Sequence, residues 1–304
     1  MNDYQSVRDG GAGLIDLSAL RSRIRVTGSE AVQFLNGLLT NDIKNATDDG
    51  WLSAVFPTVQ GRLIGAVRIL RLEDGFLIDT DAAAHEAVLK TISRFTLAGD
   101  FKVTDVSTEL AMLTVQGKRA SEVIKDIDAK VIRATHTAEV GFDLLINTDE
   151  FRSISEQLIA AGATPVTPEV FETLRIEAGI ARHGQDMDES NVVLETNLDD
   201  AISYTKGCYL GQEIIIRIKH RGHVAKKLTG LTFTKPVESG ATITSEDGKE
   251  IGRVTSATYS PKLETPIALG YVRYEYLAPG TAVKAGDSTG TVTELPFVRG
   301  SWYE

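Results

Sequence analysis

Residues 22–39 read SRIRVTGSEAVQFLNGLL, and residues 113–124 read LTVQGKRASEVI. In the first stretch Ser22 to Val26 is extended and Thr27-Gly28-Ser29 turns. From Glu30 to Leu39 the apolar residues Ala31, Phe34, Leu35, Leu38 and Leu39 fall on one helical face. The second stretch repeats that order, with Leu113 to Val115 extended, Gln116-Gly117 turning and Lys118 to Ile124 opening a helix. Val26, Gly28, Ala31 and Leu35 match Val115, Gly117, Ala120 and Ile124 in spacing, which predicts two related α+β units.

Working outward, Leu63–Leu72 and Phe76–Asp79 read as a hairpin around Glu73-Asp74-Gly75, and Ala82–Phe95 reads as a helix. Phe142–Ile146 is a predicted strand, Phe151–Ala161 a helix, and Pro168–Ile180 a helix with Pro168 near its start and Gly179 near its end. Gly10-Gly11-Ala12-Gly13 lacks the features of a phosphate loop and reads as a flexible lead-in. Beyond about residue 225 helical periodicity stops. Short β-rich runs from Leu228 to Thr293 alternate with turns such as Ser239-Gly240 and Asp247-Gly248, as in a small antiparallel barrel or sandwich.

The 304 residues suffice for about two domains, and 42% hydrophobic with 24% charged residues is the balance of a globular chain. Met1–Gly10 has no apolar signal core, no run could span a bilayer, and there is one cysteine, so a reducing, cytoplasmic setting is expected. A net charge of −10 argues against general nucleic-acid binding. From Ile214 to Val237, however, there is no carboxylate, while Arg217, Lys219, Arg221, Lys226, Lys227 and Lys235 are all cationic. This reads either as a solvated strand face or as a local wall for an anionic ligand. His183, His220 and His223 have no recognised metal spacing, and no Gly-x-Ser-x-Gly elbow is present.

The single cysteine lies in Lys206-Gly207-Cys208-Tyr209-Leu210-Gly211-Gln212-Glu213. It cannot form an internal disulfide, and it sits between glycines instead of on a periodic apolar face. The alternatives are a reactive thiol, made more acidic by Lys206 and the basic stretch, or an inert cysteine packed under Tyr209. A second unusual placement is Glu177, near the carboxyl end of a helix, where the dipole disfavours a carboxylate. Either Arg175 compensates it, or a ligand with adjacent N–H donors does.

Thr205–Glu213 closely resembles the hallmark of the YgfZ-type folate-binding proteins, whose mitochondrial relatives serve iron–sulfur protein maturation. Other stretches agree in order, among them Gly13–Ser18, Leu38–Asp42, Gln60-Gly61-Arg62, Leu174–Gly179 and Leu194–Leu198. The wider superfamily is that of the glycine-cleavage T-protein, an aminomethyltransferase using tetrahydrofolate. The resemblance implies an α+β fold in which two related subdomains surround a central folate channel and a small antiparallel β-barrel follows. In this chain that gives 1–225 for the folate-binding region, with its second subdomain at roughly 50–145, and 226–304 for the barrel.

By the same resemblance the cofactor is tetrahydrofolate or a one-carbon derivative. Glu177 holds the pterin, Asp81 stands where the T-protein has a folate-contacting asparagine, and Asn41 and Arg217 are counted as further cofactor contacts. Cys208 and Lys206 take the catalytic roles, within the motif Gly207, Tyr209, Gly211, Gln212 and Glu213, and no metal is expected. The T-protein's pair of aspartates is missing, since this chain has Gly65 and Ala66 there. The implied function is support of iron–sulfur protein assembly or repair, including the enzymes that modify tRNA. The alternative is a tetrahydrofolate-dependent aminomethyl or methyl transferase or demethylase. Expected partners are folate and iron–sulfur client or assembly proteins, with no direct nucleic-acid contact, no membrane and a monomeric chain.

Overall fold

A computed structural model describes residues 2–94 and 99–304. Along the chain run α1 (Asp3–Arg8), β1 (Gly13–Asp16), β2 (Arg21–Thr27), α2 (Ala31–Leu38), β3 (Leu52–Pro57), β4 (Leu63–Leu72) and β5 (Gly75–Asp81). Then come α3 (His85–Ser93), β6 (Lys102–Asp105), β7 (Leu110–Gln116), α4 (Ala120–Val123), β8 (Lys130–Arg133), β9 (Gly141–Asn147), α5 (Phe151–Ala160), β10 (Thr164–Pro165) and α6 (Pro168–Glu177). After α7 (Gln212–Arg221) the remaining strands are β11 (Lys226–Phe233), β12 (Thr242–Thr244), β13 (Glu250–Ser260), β14 (Thr265–Arg273), β15 (Ala282–Ala285) and β16 (Ser288–Thr293).

These strands make two five-stranded sheets, ordered β3-β4-β5-β2-β6 and β10-β1-β7-β9-β8, and a closed six-stranded barrel, β11-β14-β13-β12-β15-β16. The fold is therefore α+β, with two sheet-bearing subdomains and a carboxyl-terminal barrel. The matched strand–glycine–helix units are real counterparts. Gly28 (φ +115°) follows β2 and Gly117 (φ +126°) follows β7, and at each a side chain would strike a neighbouring backbone carbonyl. Only glycine meets both demands, the positive φ and the close approach.

The subdomains divide differently from the sequence expectation. β3, β4 and β5 share a sheet with β2, so the first unit spans 21–105 and the second is built from β1 with 110–165, not from roughly 50–145. The hairpin at Glu73–Gly75 keeps β4 and β5 beside β2, and register follows from that pairing. The 10–13 segment is also corrected, because Gly11 accepts the Arg119 amide at 3.0 Å and Gly13 begins β1, paired with Gln116 and Thr164. A backbone tied on both sides cannot be a flexible lead-in. The helix expected over 82–95 runs Ala82–Ala84 as a 3₁₀ turn and then His85–Ser93, and Phe95 lies outside the described residues. The helix expected to reach Ile180 stops at Glu177, with Gly179 in the left-handed region (φ +69°).

Strand alternation explains the layers. Ile24, Val26, Ile69, Phe76 and Ile78 face the first subdomain's helices together with Leu35, Val88 and Ile92. Leu113, Val115, Leu144 and Ile146 do the same in the second, with Val123, Ile154 and Leu158. The opposite faces of both sheets meet one another. One end of that seam is apolar, with Leu70, Leu77, Met112, Ile132 and Leu145. The other end is charged.

Candidate functional site

The charged end of the seam lies between the two sheets, where the resemblance implies a central channel. Two-residue periodicity puts Arg68 of β4, Asp79 and Asp81 of β5, and Arg21 and Arg23 of β2 on one inner face, in the register Arg68–Asp79, Arg23–Asp79 and Arg21–Asp81. Asp143 of β9 opposes them from the second sheet. Arg68 bridges the sheets, bonding Asp79 at 2.7 Å and Asp143 at 2.8 Å, and stacks over Trp51. Trp51 donates its indole N–H to Asp143 at 3.0 Å, and His136 Nε2 lies 2.9 Å from the other Asp143 oxygen. Both aspartates are fully buried. Burial alone would raise their pKa values, but Arg21 and Arg68 hold Asp79 below the ordinary range, and His136 and Arg68 hold Asp143 below it.

Of the residues expected to contact cofactor, Asp81 is the one that lines this cavity, beside Arg21, His136, Phe171 and Arg182. Asp81 already pairs with Arg21 at 2.9 Å and accepts the His183 amide at 3.1 Å. Glu177 does not line the cavity. Its side chain is buried against α1 and the barrel, and it accepts from Arg8 (2.7 and 3.0 Å), Tyr4 (2.8 Å) and Ser260 (2.5 Å). Arg175 is not its partner. That guanidinium instead bonds Glu172, Asp186 and Ser256, because residues two apart on a helix point about 200° apart.

Asn41 brackets the loop after α2, donating to the Ser53 and Asp200 carbonyls at 2.8 and 3.1 Å. Arg217 lies on the exposed face of α7, paired with Glu213 at 2.9 Å. The stretch after Ile214, read as a strand face, is the body of that helix before β11 begins at Lys226. The isoleucines explain the difference: Ile215 is buried and Ile218 partly so, three residues apart as on one helical face.

The cysteine motif crosses the end of α2. Cys208 is exposed, so the reading of an inert thiol packed under Tyr209 does not hold. The loop beneath it is firmly held. Lys206 Nζ donates to the Asn36, Leu39 and Asn41 carbonyls at 2.8, 2.9 and 2.7 Å and to Asn36 Oδ1 at 3.1 Å, capping the carboxyl end of α2. Its ammonium is thus directed into the helix end and not engaged with the thiol. Burial pushes its pKa down to about 8, against the opposing pull of Asp42. The Leu210 amide reaches the Gly37 carbonyl at 3.1 Å, and Gly211 (φ +77°) lies so close to the Thr58 carbonyl that no side chain fits. Tyr209 is buried beside Ile202 and Ile215, and its hydroxyl has no partner among the described residues. Gln212 and Glu213 open α7, and Gly207 lies in open space. A groove of about 510 Å³ runs past Cys208 between Lys206, Lys44 and the Val32–Asn36 side of α2.

Comparison with known proteins decides the family. The GCVT N-terminal domain matches residues 2–130 and 123–206, and the glycine cleavage T-protein C-terminal barrel domain matches 226–299. The chain belongs to the glycine cleavage T-protein family. Similar relatives include a chloroplastic protein of Arabidopsis thaliana provisionally named a transferase, 26% identical over 95% of this chain and 72% of that protein. The aminomethyltransferase of Rubrobacter xylanophilus is 29% identical over 89% of this chain and 78% of its own length. In fold, the crystal structure of glycine cleavage system aminomethyltransferase T from Bartonella henselae superposes with a TM-score of 0.89, covering 98% of this chain and 89% of that one at 22% identity.

Within the T-protein frame, Gly65 and Ala66 lie on β4 in packing roles. Val88 of α3 leaves no room for a side chain on Gly65, and Ala66 packs with Val55 and Leu63. Tetrahydrofolate does not fit the channel in this conformation. The cavity lined by Asp81 measures about 40 Å³, whereas pockets for ligands of that size run to hundreds. Glu177, assigned to the pterin, already accepts four hydrogen bonds, and Asp81 is already paired with Arg21 and the His183 amide.

Proposed function

We propose that this T-protein family member supports iron–sulfur protein assembly or repair through Cys208 and does not perform glycine cleavage. The observation that carries the reading is an exposed thiol on a loop fixed by Lys206, Tyr209 and Gly211. A side chain held at a defined place and left open to solvent suits reaction with, or ligation of, a group brought by another molecule. The loss of the acidic pair at Gly65 and Ala66 argues in the same direction. Acid–base assistance of that kind contributes about 10²–10⁴-fold in rate, and neither residue can provide it.

Tetrahydrofolate remains part of this proposal through the family alone, and binding it requires the channel to open. A transferase or demethylase acting on another one-carbon donor is the second reading, favoured by the names of the relatives at 26–29% identity. A deletion strain assayed for several iron–sulfur enzymes tests the first reading. Those activities are expected to fall, to recover with the native gene, and to stay low with Cys208→Ser. Full rescue by Cys208→Ser, with the variant folded by circular dichroism, would refute a role for the thiol.

A further inference from the structure

Neither the fold nor the thiol accounts for the carboxylate-free basic stretch that follows the cysteine motif. In the structure it forms the second half of α7, the loop 222–225 and the start of β11, and these elements border a cleft of about 240 Å³. Its floor is aliphatic, made by Leu194, Ile218, Val224 and Leu277. Its rim carries Lys219 and Lys227 against a single lining carboxylate, Asp199, which pairs with Lys227 at 3.4 Å.

The rim residues are arranged by aromatic neighbours. His223 stacks on Tyr274 with ring centroids 4.1 Å apart, and Lys219 lies 5.1 Å over the Tyr204 ring. Both tyrosines are substantially exposed, at 47% and 39%. Cations at the carboxyl end of a helix complement its dipole, which accounts for Lys219, His220 and Arg221 as sequence choices. It does not account for an apolar cleft beside them, nor for the further cations Lys226 and Lys227 on another element.

We propose that this cleft docks an acidic segment of a partner protein, with one apolar side chain seated on the aliphatic floor and flanking carboxylates against Lys219 and Lys227. A space of this size holds a single large side chain, the usual anchor of a protein contact, and is small for a free cofactor. Charge complementarity selects an acidic occupant. A nucleic acid is disfavoured, because the chain's net charge of −10 opposes a long polyanion more than a short acidic segment. The inference rests on the reading of Cys208 as a group that acts on partners: α7, about 15 Å long by its ten residues, starts at the cysteine motif and ends at the cleft. A docked partner is thereby held within reach of the thiol.

The test uses a fluorescein-labelled acidic peptide with one central phenylalanine, titrated by anisotropy against the full chain. Binding is expected, weakening at least tenfold in the Lys219→Glu, Lys227→Glu variant and about as much when serine replaces the peptide's phenylalanine. Added salt should weaken it as well. Equal affinity for the charge-reversed variant, indifference to the phenylalanine, no binding at millimolar peptide, or tighter binding of a single-stranded RNA of equal charge would each overturn the proposal. Cys208→Ser separates this from the thiol reading, since it leaves the cleft intact. Unchanged peptide affinity is expected in that variant whether or not it rescues the deletion strain, and lost affinity would count against a cleft independent of the thiol.

Discussion

Glu177 and Cys208 both stand in short stretches that the sequence resemblance singles out, yet the fold treats them in opposite ways. Glu177 is enclosed, and donors from α1 and the barrel converge on its carboxylate. Cys208 is open to solvent, while the residues on either side of it carry the attachments. At Glu177 the reactive-looking group itself holds the molecule together. In the loop the neighbours hold the molecule together and the reactive group is left free. A charged residue in a family position is therefore no sign by itself of an available binding group.

The largest test of that contrast is Glu177→Ala. It leaves the buried Arg8 guanidinium with Glu139 as its one carboxylate and strips Tyr4 and Ser260 of their acceptor, and breaking a buried ion pair costs about 3–5 kcal/mol. Urea denaturation should show a loss of that size. A stability near that of the native chain, together with weakened folate binding, would return Glu177 to the role of a ligand anchor.

Acid should act next, through Asp79 and Asp143. Both are held below the ordinary aspartate range in the folded state, so their stabilising contribution is complete above about pH 4 and is lost as pH falls below it. Asp143→Asn should flatten the acid limb of a stability-against-pH curve. An unchanged limb would mean that Arg68 and His136 contribute nothing through this carboxylate.

Lys206→Met sharpens the other side of the comparison. It removes the charged donor from four acceptors at the end of α2, and bonds to charged groups contribute about 1.5–3 kcal/mol. Hydrogen exchange should speed up in residues 36–41 and in the cysteine loop, with the barrel unaffected. If only the alkylation rate of Cys208 changed, Lys206 would be acting on the thiol and not on the loop.

The smallest effect belongs to Tyr209→Phe. The buried hydroxyl has no partner among the described residues, so its removal should leave stability unchanged or raise it by about 1 kcal/mol. A loss of more than that in thermal denaturation would show that the hydroxyl makes a bond in solution.

The repeat of strand, glycine and helix was legible because Gly28 and Gly117 mark the same local geometry and apolar spacing marks the faces. The barrel was legible from the spacing of its turns. The channel was not. Arg68, Asp79 and Asp143 alternate with apolar residues along their strands, as solvent-facing residues would, and only the meeting of two sheets buries both aspartates and half-buries Arg68. A signal existed: Arg21, Arg23, Arg68, Asp79 and Asp81 put charges of both signs on neighbouring strands, as cross-strand pairing requires. The partner of Glu177 was hidden for another reason. Arg175 is near in sequence, whereas Arg8 stands 169 residues away and becomes a neighbour only through tertiary folding.

That separation has a consequence for the newborn chain. Arg8 leaves the ribosome well before its two carboxylates, Glu139 and Glu177, which follow 131 and 169 residues later. At the usual 5–20 residues per second, the guanidinium waits roughly ten to thirty seconds for the second of them. Ser260, which completes the Glu177 cluster, comes later still. During that interval the Glu177 cluster that seals α1 is incomplete, so the amino-terminal subdomains persist with a part-open edge until the barrel emerges. A message cut short before the barrel should yield a chain that proteases remove, even though most of its two sheets has already been made.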